Sequence, residues 1–338
     1  MAMQENTTDG CANMKKKVFL GACSLVLFLL VAGYVFERWA VRSELETLKI
    51  KGKLIKVDGA SMHIQCLGSG NPTVILESGL GSDMTSWDNI IDPVSKMTRV
   101  CRYDRSGYGL SEGNPSEATI ENQSHRLKEL LNAAGIKGPK ILVGHSAGGL
   151  YARHFATLEL GVVGMVLVDS SASLSKKDFE KFFTIPISSQ IKGRLKLIAS
   201  KFALIRVKNW FLSNPTDTQP KWYPEQSIFS SRYIEALFQD ENIYLSVLST
   251  PEPDLHNIPI VVISRGNDFM NNGSKKSEFD IAWDGWQKQL LNLSSHSSHV
   301  IAEESGHGIQ DDQPELIVDA IKNILEGVSS RKIKNVNS

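Results

Sequence analysis

The stretch that most limits what this chain can become is Gly144-His145-Ser146-Ala147-Gly148-Gly149. Lys140-Ile141-Leu142-Val143 before it is a short apolar run of strand type, and Leu150-Tyr151-Ala152-Arg153-His154-Phe155-Ala156 after it reads as helix. A strand ends, the chain reverses on Ser146, and a helix begins, which is the setting a G-x-S-x-G nucleophile elbow requires. So tight a turn leaves no room for side chains at Gly144 and Gly148, and strained backbone favours glycine. The helix N-terminus beneath the serine offers N–H groups to a developing anion. The bland alternative is an ordinary strand-to-helix turn, because G-x-S-x-G also arises by chance in glycine-rich loops.

The chain upstream repeats the strand–helix rhythm. Leu54-Ile55-Lys56-Val57 and Ser61-Met62-His63-Ile64-Gln65-Cys66 flank Asp58-Gly59, a hairpin turn signal. Thr73-Val74-Ile75-Leu76-Glu77 is a buried strand, followed by Ser78-Gly79-Leu80-Gly81 and a helical stretch from Trp87 to Met97. Val100-Cys101-Arg102-Tyr103-Asp104 is another strand, and residues 119–134 show helical periodicity through Ile120, Leu127, Leu130 and Leu131, closed by Gly135. Strands alternating with helices imply a mostly parallel sheet in an α/β fold. At 338 residues, 41% of them hydrophobic, the chain can bury a sizeable core, and there is no internal repeat. Lys+Arg and Asp+Glu are both 37, so charge supplies no argument for nucleic acid, and none is expected as a partner.

The N-terminus is a separate unit. Residues 1–17 are polar and close on Lys15-Lys16-Lys17, and residues 18–36 carry no charge, a length that spans a bilayer core as a helix. A cleaved signal peptide competes with an uncleaved anchor, but its apolar region is usually shorter and no A-x-A site follows, so the anchor is favoured. The lysines place the N-terminus in the cytoplasm and the rest outside, at the cell membrane with a single pass, although Arg38, Arg42, Lys49 and Lys51 blur that asymmetry. Residues 37–51 read as a stalk.

Taken in order, Ser78-Gly79-Leu80-Gly81, Asp104-Arg105-Ser106-Gly107-Tyr108-Gly109-Leu110-Ser111 and Gly144-His145-Ser146-Ala147-Gly148-Gly149 resemble the α/β-hydrolase superfamily. The resemblance is strongest to bacterial membrane-anchored members of the α/β-hydrolase fold-1 type, and covers about residues 50–328. It implies an eight-stranded, mostly parallel sheet with helices on both faces and an inserted helical lid. Its motifs are specific for the superfamily and poor guides to substrate. Many relatives carry His-Gly where this chain has Ser78-Gly79. Because the oxyanion donors in such folds are backbone N–H groups, here those of Leu80 and Ala147, that departure need not harm the hole.

A serine nucleophile needs a base, and the base an orienting carboxylate. Ser305-Gly306-His307-Gly308 lies between a strand at Ser298 to Ala302 and a helix opening at Asp312-Gln313-Pro314-Glu315, where this fold places its base, so His307 is expected in that role. His63, His145, His154, His296 and His299 fit less well. For the acid, Asp268 stands nine positions after Pro259, the spacing relatives use, although Arg265 occupies the place of their usual glycine. Asp169, closing Met165-Val166-Leu167-Val168, is the alternative, because some relatives take their acid from that strand. Asp268 is favoured on spacing.

Residues 171–255 separate two parts of the expected core, 52–170 and 256–328, and are too long for a plain connection, so they read as a lid. They carry Phe182, Phe183, Trp210, Phe211, Trp222, Tyr223, Phe229 and Phe238. Ile191, Leu195, Ile198, Phe202 and Ile205 fall at helical spacings, among Lys192, Arg194, Lys196, Lys201, Arg206 and Lys208. Either this helix packs its apolar face over the site and solvates its basic face, or it rests on anionic lipid. Residues 329–338 form a C-terminal tail.

Together these readings describe a carboxylesterase- or lipase-like serine hydrolase acting on an ester or thioester of an apolar or amphiphilic acyl substrate, without metal or organic cofactor, as a monomer. A peptidase or amidase with the same triad, and a membrane-tethered binding protein without turnover, are the alternatives. The resemblance has one further implication. The second strand of such folds runs antiparallel beside the fourth, which brings Cys66 and Cys101 within disulfide reach in an oxidising compartment.

Overall fold

The computed structural model describes residues 6–47, 51–113, 118–212, 230–267 and 276–336. The strands are β1 (Lys53–Val57), β2 (Ala60–Leu67), β3 (Thr73–Glu77), β4 (Val100–Tyr103), β5 (Lys140–His145), β6 (Val162–Val168), β7 (Ile260–Arg265) and β8 (Ser297–Ala302). The helices are α1 (Asn6–Thr47), α2 (Asp88–Ser95), α3 (Ile120–Ala133), α4 (Ala147–Leu158), α5 (Lys176–Phe182), α6 (Ile187–Lys201), α7 (Leu204–Leu212), α8 (Ser231–Val247), α9 (Glu278–Gln289), α10 (Ile309–Asp312) and α11 (Pro314–Val336). The strands make one 8-stranded sheet in the order β1-β2-β4-β3-β5-β6-β7-β8, with β2 antiparallel to both neighbours and β3 to β8 parallel.

The sheet is buried on both faces, which is why its central strands are continuous apolar runs. Successive side chains alternate between two cores. Ile75, Leu142, Met165 and Leu167 point toward α3, α4 and α9, where they meet Leu130, Phe155 and Trp286. Val74, Leu76, Ile141, Val143, Val166 and Val168 point toward α2 and α11, where they meet Ile90, Val94, Ile317 and Ile321. Cys66 lies directly opposite Cys101 in the β2–β4 register, and the two form a disulfide with Cα atoms 4.1 Å apart.

Chain order departs from sheet order between β3 and β5, and an open α/β sheet has its crevice at such a reversal, beyond the carboxyl ends of the strands. The Ser78–Gly81 loop after β3 and the Ser146 turn after β5 face one another there.

Between β6 and β7 lie α5 to α8. The apolar stripe expected from Ile191 to Ile205 is not one packed helix. Ala203 adopts φ 59° and turns the chain between α6 and α7. Ile191, Leu195 and Ile198 face outward at 53%, 59% and 55% exposure. The inward side is instead Leu197 and Ile205, packed on Tyr108, Tyr233 and Ile234. Trp222, Tyr223 and Phe229 lie outside the described residues, as do the side chains of Trp210 and Phe211.

Candidate active site

Ser146 sits between β5 and α4 with φ 54° and ψ −123°, a conformation L-residues avoid. The surroundings impose it. The Ser146 N–H donates to Val168 O at 3.0 Å, and Ser146 O accepts from the Ser171 N–H at 3.1 Å, so the turn is tied to the end of β6. A Cβ on Gly144 would lie 2.6 Å from Gly148 O, and one on Gly148 would lie 2.4 Å from Glu77 O, which is why both positions are glycine.

The next strand ends one step later. Asp169 is fully buried and also strained, at φ 37°. His307, on the loop between β8 and α10, places Nδ1 2.5 Å from Asp169 Oδ2. Ser146, Asp169 and His307 are thus gathered at the carboxyl ends of β5, β6 and β8. Asp268, the favoured acid on spacing, lies outside the described residues, and the carboxylate that meets the imidazole is the alternative, Asp169.

Asp169 is held by more than the histidine. Arg265 Nη1 donates to Oδ2 at 2.9 Å and Trp283 Nε1 to Oδ1 at 2.8 Å. Burial pushes this carboxyl up, but His307, Arg265 and Trp283 outweigh it and hold the group below the usual carboxylate value. Arg265 also donates from Nη2 to Asp280 Oδ1 at 3.0 Å and lies over the Trp283 ring, 5.0 Å from its centroid. Sequence reading missed this support, although it carried a signal: Arg265 is the residue that replaces the family's glycine.

His145 is a second element sequence reading left without a role. Its Nε2–H donates to His307 O at 2.8 Å, and the two rings lie 4.6 Å apart. Burial, aided by the neighbouring His307, pushes the His145 imidazole down to about 3, so it is neutral and pins the His307 loop to the elbow.

The loop that carries Leu80, one of the two expected anion donors, approaches the serine. A Cβ on Gly79 would lie 3.3 Å from Ser146 Cβ. Arg105, buried after β4, donates from Nη1 to Ser78 O at 2.5 Å and from Nη2 to Gly79 O at 2.7 Å. In a trans peptide C=O and N–H point opposite ways, so a Gly79 carbonyl turned onto Arg105 turns the Leu80 N–H away from it. Ala147 is the first residue of α4, where an N–H has no intrahelical acceptor. The Arg105 charge is met by Glu77 Oε1 at 2.7 Å and by Asp240 Oδ2 of α8 at 2.8 Å. Tyr108 and Tyr151 hydroxyls donate to the same Asp240 carboxylate. A lid helix therefore helps to hold the loop that faces Ser146. Among the described residues no group of His, Cys, Asp and Glu side chains is arranged to hold a metal ion.

The match to known proteins runs through this whole frame. A model of the alpha/beta hydrolase family covers residues 74–320, well over half of the chain. The chain belongs to this family. Among curated relatives it is 24% identical over 274 residues to the uncharacterized protein YqjL of Bacillus subtilis, covering 80% of this chain and 91% of that protein. It is 31% identical over 143 residues to the uncharacterized protein YbdG of the same organism, but there spans only 44% of the relative. Solved hydrolase-fold structures agree in architecture. A thermophilic esterase from Thermogutta terrifontis superposes with TM-score 0.55 at 20% identity, over 83% of this chain and 98% of that one. A structure described as a membrane phospholipase A and bacterial virulence factor superposes with TM-score 0.57 at 19% identity, over 95% and 99%.

Proposed function

We propose that this hydrolase cleaves an ester or thioester of an apolar or amphiphilic substrate through an acyl-enzyme on Ser146. Asp169 accepts a hydrogen bond from the Nδ1–H of His307, which keeps the proton on Nδ1 and leaves Nε2 as the basic nitrogen. Ser146 Oγ attacks the acyl carbonyl carbon while Nε2 takes its proton. The oxyanion is met by the N–H groups of Leu80 and Ala147. Collapse breaks the acyl C–O or C–S bond, and the leaving alcohol or thiol takes the proton from His307. Water, deprotonated by the same nitrogen, then attacks the acyl-enzyme, releasing the acid and restoring the serine hydroxyl.

The observation that carries this reading is the His307–Asp169 contact beside a serine held on a strained elbow. Relatives of this fold whose names describe esterases add support. An epoxide hydrolase shares the fold, but a serine at 146 forms an acyl ester, not the alkyl ester of an aspartate nucleophile.

The N-terminal helix, apolar from Val18 to Phe36, anchors the enzyme in a membrane with its hydrolase core on the oxidising side, in keeping with the Cys66–Cys101 disulfide. The test uses full-length protein in isolated membranes and a fluorophosphonate probe, which phosphonylates only an activated serine, with loss of fluoride. Labelling is expected in the membrane fraction, resistant to high-salt extraction and lost in Ser146→Ala. Folded protein that never reacts is a binding module and overturns the reading.

A further inference from the structure

The structure joins the membrane helix to the lid. The last turns of the uncharged run and those that follow pack on it. A Cβ on Gly33 would lie 2.5 Å from Phe202 O, at the C-terminal end of α6, and the Tyr34 and Phe202 rings lie 6.5 Å apart. One turn further, Glu37 is 1% exposed. Its carboxylate accepts from Arg206 Nε of α7 at 2.9 Å and from the Ser231 N–H, which opens α8, at 2.8 Å. A carboxylate so buried and so well supplied with donors is a fixed joint, not a passing contact.

The joint sets a depth. Helices rise about 1.5 Å per residue, so the contact at Gly33 begins about 4–5 Å inside the end of the uncharged run at Phe36. If α1 fills the hydrocarbon core, the end of α6 lies at its boundary. That is where the outward stripe of the lid becomes intelligible. Ile187, Ile191, Leu195 and Ile198 recur at helical spacing and are 75%, 53%, 59% and 55% exposed, and Leu204 of α7 continues them at 54%. No partner in the described fold covers them. Trp39, 63% exposed, follows Glu37 by two residues on α1, at the level where amphipathic rings collect in membranes.

The charges of the same helices agree. Neither α6 nor α7 contains an acidic residue, and Lys192, Arg194, Lys196, Lys201 and Lys208 are exposed. An exposed apolar stripe on helices whose charged side chains are all cations, of which Lys201 is paired with Glu235 of α8 at 3.4 Å, is what an interfacial helix presents to anionic headgroups.

We propose that α6 and α7 sit in the headgroup layer of an anionic bilayer, seated there by the Glu37–Arg206–Ser231 joint to α1. The proposal rests on reading α1 as the membrane helix. It also links membrane and site, because the inner side of these helices packs on Tyr108 and Tyr233, and the Tyr233 hydroxyl donates to Gly81 O at 2.8 Å in the loop facing Ser146.

The test is a depth measurement on full-length protein with Cys11 and Cys23 replaced by Ser, in vesicles of phosphatidylcholine and phosphatidylglycerol. Nitroxide labels are placed singly by Leu27→Cys in α1, Leu195→Cys in α6, and Leu160→Cys in the fully exposed turn after α4. Collision with oxygen reports lipid, and collision with a water-soluble nickel chelate reports water. Leu195 labels are expected to favour oxygen several-fold over the nickel chelate, and Leu160 labels the reverse. Leu27 in lipid with Leu195 as wet as Leu160 overturns the seating of the lid while leaving the anchor. Leu27 in water overturns the anchor itself. A Leu195 label shielded from both collision partners means that a second copy or another protein covers the stripe, and also overturns the proposal.

Discussion

Replacing Asp169 by Asn tests the site most directly. The carboxylate is completely buried, so no water can take its place at His307 Nδ1. An Asn in the same position can turn its NH2 toward the imidazole, which then carries its proton on Nε2 and is no base for Ser146. The analogous change in a Ser-His-Asp protease costs about 10⁴ in kcat, and 10⁴ corresponds to about 5.4 kcal/mol of transition-state stabilisation. The fold should survive, because Arg265 keeps Asp280 as a partner and Trp283 can still donate to the amide oxygen. The expected loss of stability is about 1–3 kcal/mol, the range for one buried hydrogen-bonding group. The assay is steady-state hydrolysis of a p-nitrophenyl acyl ester beside the rate of fluorophosphonate labelling, with thermal melting as the check on folding. Asp169 lies below its unfolded value of 3.8, so its stabilising contribution is present above that pH and is lost as pH falls through the folded value. It is therefore ionised throughout the neutral range. Activity within tenfold of wild type in folded Asp169→Asn refutes the assignment. So does an orders-of-magnitude loss in Asp268→Asn alone.

Arg265→Met leaves the Asp169 and Asp280 carboxylates buried without their shared cation, and should cost about 3–5 kcal/mol in thermal or chemical unfolding. It should also move the acid limb of the pH–rate profile upward, since Asp169 loses the charge that keeps it ionised. His145, held near 3, stays neutral in the fold while its unfolded form protonates near 6.5, so it should remove about 2 kcal/mol of stability between pH 7 and pH 5. Denaturation at the two pH values should show a smaller drop in His145→Gln than in wild type. Asp240→Asn should lower kcat more than it raises KM, because Arg105 then holds the Ser78–Gly79 carbonyls without its lid partner; an unchanged kcat would separate the lid from the loop. Thiol counting on denatured, unreduced protein should find Cys66 and Cys101 unreactive, and reduction of this bond should cost about 2–4 kcal/mol.

What the chain states locally, it states clearly. The elbow is written in the glycines that flank Ser146, because the collision each would cause involves atoms only a few residues away or on the strand beside it. The parallel sheet is written in the unbroken apolar runs of β3, β5 and β6, because a strand covered on both faces has no polar side. His307 is legible because its loop lies between a clear strand and a clear helix. The Cys66–Cys101 pair follows once the sheet order is granted.

The contact that supports Asp169 as the acid was not legible in this way. Asp169 follows β6 directly and Asp268 comes three residues after Arg265 in the sequence, and spacing from a proline cannot tell which carboxylate meets the imidazole. That choice depends on Arg265 and Trp283, which lie about a hundred residues further along the chain and converge on Asp169 only when β7 and α9 pack beside β6. The lid shows the same division. Sequence alone sets an apolar stripe on α6, because periodicity is a property of one helix. Which way the stripe faces was settled by the turn at Ala203 and by the joint between Glu37, Arg206 and Ser231. A helix buries the face that its neighbours leave room for, and those neighbours are brought to it by segments far away in the chain.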